Sequence, residues 1–184
     1  MAYKYLLKLK QLSNKLATPI TFILIGAVAR VIPHLPNFAP IGAMALFGGA
    51  YMSKKQALTL PILAMVLSDF IIGFDSLPMR LAVYGSFLLI VLMGMFIKKQ
   101  INAKNVIFAS FLASILFFII TNFAVWEFGH LYSKTIEGLM QSYFFAIPFF
   151  RNTVFGDLFY NGIFFGAYNL LLNISHPLAL EQKV

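Results

Sequence analysis

Residues 149–173, FFRNTVFGDLFYNGIFFGAYNLLLN, decide how the rest of the chain is read. The stretch is apolar enough to lie in lipid, yet it holds Arg151, Asn152, Asp157 and Asn161 in its first half. In a helix, Thr153, Asp157 and Asn161 recur at i, i+4 and i+8 and share one stripe. Gly162 and Gly166 form a G-x-x-x-G pair on roughly the opposite face, a flat surface for another helix. A carboxylate at the centre of a membrane helix costs about 2.5–3.5 kcal/mol on insertion scales, so Asp157 requires a partner or a purpose.

Working outward, the composition agrees with a membrane chain. Of 184 residues 60% are hydrophobic and 11% charged, well to the apolar side of ordinary soluble domains. Mean hydropathy is +0.84. The absence of cysteine excludes disulfides and thiol chemistry. The net charge of +8 sits mainly on lysines at the ends of apolar segments, a pattern of topology and not of nucleic-acid binding.

Residues 1–16 form a basic amphipathic segment expected at the membrane surface. A signal peptide ending at Ala27-Val28-Ala29 is the competing reading, but a cut there leaves the following spans wrongly oriented. The spans fall at about 18–32, 38–52, 57–74, 81–97, 106–126 and 149–173, so residues 17–174 are expected as one all-α, six-helix transmembrane domain with a tail at 175–184. The second span is short and rich in small residues. The fourth has little polar content and is expected to face lipid. Between spans 5 and 6, Ile136, Leu139, Met140, Tyr143 and Phe144 repeat at helical spacing, which predicts a short amphipathic helix on the outer surface, capped by Ser133 or Thr135 and ending near Pro148.

Charge sets the orientation. Lys4, Lys8, Lys10, Lys15, Lys54, Lys55, Lys98, Lys99, Lys104 and Lys183 fall on the side of the termini, against Arg30, Arg80, Lys134 and Arg151 on the other, which predicts cytoplasmic termini. Arg30, Asn37, Asp69, Asn122, Trp126, Arg151, Asp157 and Asn161 then lie in one layer near the outer side and form the candidate ligand-binding set. The competing reading is structural: Arg30–Asp157 and Arg80–Asp69 salt bridges, or the swapped pairs. No P-loop, G-x-S-x-G or H-E-x-x-H occurs, and His34, His130, Asp69 and Glu127 are too scattered for a convincing metal set. No enzyme activity, cofactor or metal is expected.

The stretches NFAPIGAMALFGGAY (37–51), SDFIIG (68–73), FFIITNFAVW (117–126) and AIPFFRNTVFGDLFYNGIFFGAY (146–168) resemble a bacterial family of integral membrane proteins named as candidate transport proteins. That family is distantly similar to the substrate-binding S components of energy-coupling factor (ECF) transporters. The resemblance implies a multi-pass protein of the bacterial inner membrane that captures a small solute, a vitamin or cofactor precursor, on the outer side, with a transmembrane coupling subunit and ATPases as partners. Two departures matter. The A-x-x-x-A docking patch of S components is missing from span 1 and occurs only as Ala39-Pro-Ile-Gly-Ala43 on span 2, and Ala2 stands where metal-taking members carry His. The alternatives are a non-transporting membrane subunit or scaffold that packs against a partner and, after it, an intramembrane enzyme built on Asp69 and Asp157.

Overall fold

The computed structural model describes residues 19–181. Within them the chain forms six α-helices and no strand: α1 (Pro19–Val31), α2 (Ile41–Tyr51), α3 (Lys54–Ile72), α4 (Leu77–Ile97), α5 (Ala103–Phe128) and α6 (Ile136–Glu181). Three of them, α3, α4 and α5, are long and apolar enough to cross a membrane. The basic segment 1–16 lies outside the described residues. Most of the expected tail continues α6, which runs to Glu181.

Local chemistry sets the boundaries. Ser53 caps α3 in a reciprocal capping box with Gln56. Gly73 ends that helix at φ +107°, a conformation that glycine adopts without strain. The Asn102 side chain accepts the Asn105 N–H at 2.9 Å and starts α5. Of the two expected caps for the next helix, Thr135 is used, accepting the Gly138 N–H at 3.2 Å. Hydrogen bonds from its own backbone N–H and from Thr135 hold the exposed Glu137 carboxyl below its ordinary range.

The centre of the bundle is the short α2. Every residue from Ile41 to Ala50 is buried, as expected of a helix apolar on all sides. At 1.5 Å per residue its 11 residues span about 16 Å, roughly half a hydrocarbon core. It touches α3, α4, α5 and α6. Ala43 is fully buried there, so the Ala39/Ala43 spacing is consumed inside the molecule. Phe22 of α1, Phe47 and Tyr51 of α2, and Phe164, Phe165 and Tyr168 of α6 make a continuous aromatic cluster.

The expectation that the fourth span faces lipid is corrected for one of its sides. One side of α4 does expose Leu81, Leu88, Leu89, Leu92 and Phe96, but Ser86, Phe87, Ile90, Val91 and Gly94 are buried. A Cβ on Gly49 would strike the Val91 carbonyl and Gly94 Cα, and one on Gly94 would strike the Leu46 carbonyl, so α2 and α4 meet backbone to backbone. Lys98 then donates to the Met52 carbonyl at 2.7 Å beyond the end of α2. Small residues on both helices let α4 pack this closely on α2.

The separate surface helix is corrected too. Residues 136–148 are the first turns of α6, which continues through Pro148 without interruption for 46 residues. The apolar residues Ile136, Met140 and Phe144 are exposed, whereas Gly138, Ser142 and Ala146 are buried. Where the surroundings are apolar, tight packing selects small residues for the inner face and leaves large ones outside. The segment lies along α5: the Tyr143 hydroxyl donates to the Ile119 carbonyl at 2.8 Å, and Trp126 Nε1 donates to the Ser133 carbonyl at 2.9 Å.

Candidate functional site

Two buried carboxylates organise the polar interior. Asp69, near the end of α3, is engaged on both oxygens. Arg30 Nη1, at the end of α1, donates to Asp69 Oδ1 at 2.5 Å and also to the Ser68 hydroxyl and, at 3.2 Å, to the Met65 carbonyl. The Tyr84 hydroxyl of α4 donates to Asp69 Oδ2. The side chains of Arg30 and Asp69 are 16% and 7% exposed. Of the salt bridges weighed from the sequence, the structure forms the swapped pair Arg30–Asp69. Arg80 lies instead over the Phe74 ring, 5.0 Å from its centroid.

Asp157 of α6 is 3% exposed and sits otherwise. Ser114 of α5 donates to its Oδ2 at 2.7 Å. Among the described residues no other donor and no cation reaches it. A Cβ on Gly42 would land on Oδ1, so this carboxylate lies directly against the α2 backbone, and glycine there makes the room. One turn along, Asn161 Nδ2 donates to the Ser110 hydroxyl at 3.0 Å, while the buried Asn161 Oδ1 has no partner. Ser110 and Ser114 on α5 thus face Asn161 and Asp157 on α6 in a two-rung ladder.

A cavity of about 420 Å³ opens beside this pair, between the α1–α2 turn and helices α2, α3, α4, α5 and α6. Arg30, His34, Asn37, Thr153 and Asp157 supply its polar lining, and Ile41, Met65, Val83, Phe87, Ile90 and Phe117 most of its apolar wall. Its size and its few polar groups in an apolar wall suit a small organic ligand. Asn37, held at φ 62° in the turn, also lines an adjoining cavity of about 360 Å³ together with Asn122. Asn152 Nδ2 donates to the Pro36 carbonyl at 3.0 Å and ties that turn to α6.

One protein-family model matches residues 10–179 of the chain. The chain belongs to a family of unknown function (DUF6580). No curated protein matches it, and no solved structure does.

Within this DUF6580 chain the residues singled out from sequence separate into groups. Arg30, Asn37 and Asp157 meet at the larger cavity, with Asp69 held behind Arg30. Asn122 lines the adjoining one, with its Nδ2 donating to the Phe118 carbonyl at 2.7 Å. Asn161 lies deeper and borders a groove of about 730 Å³ toward the α4–α5 turn. Trp126 lines neither of the first two cavities and is engaged with Ser133 and Lys134, and Arg151 is exposed and lines neither. Sequence reasoning missed Gly42 and Tyr84. Tyr84 has no periodic signal, and Gly42 is visible only as one of the many small residues of the second span. Ser110 and Ser114 stand at i and i+4 in the sequence, but nothing there marks them as the partners of α6.

Proposed function

We propose that this protein binds a small organic solute in the 420 Å³ cavity and serves its uptake across the bacterial inner membrane. One observation carries the reading: a buried carboxylate, Asp157, borders an otherwise largely apolar cavity and has a single hydroxyl donor among the described residues. A charge held in that state in an apolar bundle is costly, and such residues characteristically mark ligand or ion paths. In the proposed arrangement all six helices belong to one membrane-embedded bundle, both termini are cytoplasmic, and the cavity opens toward the outer side. The resemblance to ECF S components supplies the model of action: solute capture by this chain, with release driven by a coupling subunit and ATPases.

Native mass spectrometry of the protein gently extracted from its own membrane tests this. A small molecule retained by the wild type and lost from Asp157→Asn is the expected result. A molecule retained equally by Asp157→Asn places binding elsewhere and contradicts the proposal.

One observation favours the scaffold as the second reading. Gly162 and Gly166 are exposed with open space where a Cβ would project, and they line the 730 Å³ groove beside Asn161. No helix among the described residues covers them. If a partner helix docks there, Gly166→Leu removes a stoichiometric protein partner from the extracted complex while the small molecule stays.

A further inference from the structure

We infer that the cavity selects a positively charged organic solute, whose ammonium-type group is held by Asp157. The inference rests on the capture reading and deepens it by naming the ligand's charge.

The argument is a charge count at the cavity. Its ionic groups are Arg30 and Asp157, with exposed His34 at the α1–α2 turn. Arg30 is matched by Asp69, its ion-pair partner at 2.5 Å, and Tyr84 closes the other oxygen of Asp69. That pair sums to zero. Asp157 forms no ion pair among the described residues, and Ser114 supplies a hydrogen bond but no charge. With Asp157 ionised, the assembled site is one positive charge short. A ligand carrying a protonated amine or an alkylated ammonium supplies it in a dry, low-dielectric position, where the attraction far exceeds its value in water.

The walls favour the same sign. Phe87 and Phe117, stacked with centroids 5.2 Å apart, both line the cavity. Aromatic faces are negative and attract cations. An anion would meet Asp157 and would have to draw Arg30 away from Asp69. Gly42 belongs to the site as a positioning residue, because its missing side chain lets the carboxylate stand against α2 at the cavity wall.

The experiment uses three probes on one body: phenylpropylamine, phenylpropanamide and phenylpropanoate. Each is titrated against the full chain in phosphatidylcholine nanodiscs, and binding is read from the rise in unfolding midpoint. A hydrogen bond to a charged partner predicts that the amine binds roughly ten- to hundredfold more tightly than the amide. The preference should vanish in Asp157→Asn. It is first read on the wild-type chain, so it does not depend on that variant folding. If the amide or the carboxylate binds as well as the amine, the charge inference is overturned and the capture reading stands. If none of the three binds, both fall. If the amine's advantage survives in Asp157→Asn, the selectivity belongs to another group and the inference is overturned.

Discussion

Asp69 and Asp157 are both buried carboxylates on apolar helices, and they are treated in opposite ways. Asp69 has an arginine on one oxygen and a tyrosine on the other, so α1, α3 and α4 are fastened at one point. Asp157 has one serine, a glycine backbone against its other oxygen, and a cavity beside it. A satisfied polar cluster fixes structure, whereas an incompletely satisfied one is costly to maintain and belongs where something binds. The same residue type in the same bundle is thus partnered in two ways, and the proposed function gives the first a structural role and the second a binding one.

The largest effect should come from breaking the satisfied cluster. Arg30→Met leaves Asp69 without its cation, and removal of one partner from such a pair costs about 3–5 kcal/mol of stability. Thermal unfolding in detergent measures this, and the double variant Arg30→Met/Asp69→Leu should recover most of it. Next is Gly42→Ala, whose methyl group would occupy the place of Asp157 Oδ1. Overpacking of this kind costs about 1–3 kcal/mol, and a small molecule retained by the wild type in native mass spectrometry should be lost. Gly85→Ala on α4 is the control: its Cβ meets nothing, so stability should hold or rise by about 0.5 kcal/mol. Tyr84→Phe should cost about 1.5 kcal/mol, the value of a hydrogen bond to a charged acceptor, without altering ligand retention. Loss of the ligand in Tyr84→Phe would erase the distinction between the two carboxylates.

Much of the site's chemistry was visible in the sequence, and little of its pairing was. The Thr153, Asp157 and Asn161 stripe is buried as its spacing implied, because a helix keeps i and i+4 on one face whatever surrounds it. Which arginine meets which aspartate depends on helix rotation and adjacency, and neither has a period in a single chain. The 136–148 segment misled for a physical reason. A proline reads as a helix stop because it removes a backbone N–H, yet α6 runs through Pro148, with Gly138, Ser142 and Ala146 buried and Ile136 and Met140 exposed. The opposite holds for Gly162 and Gly166, whose small-residue spacing suggested a packed face and which are exposed.

The most direct measurement is the unfolding midpoint of Asp69→Asn beside that of Asp157→Asn, each freed of ligand and held in the same detergent. Asp69→Asn strands the Arg30 charge and should unfold several degrees below the wild type. Asp157→Asn removes a buried carboxyl that has no cation of its own, and its midpoint should equal or exceed the wild type's. A fall in Asp157→Asn as large as that in Asp69→Asn would show that both carboxylates hold the bundle together, and would contradict the division of roles on which the account rests.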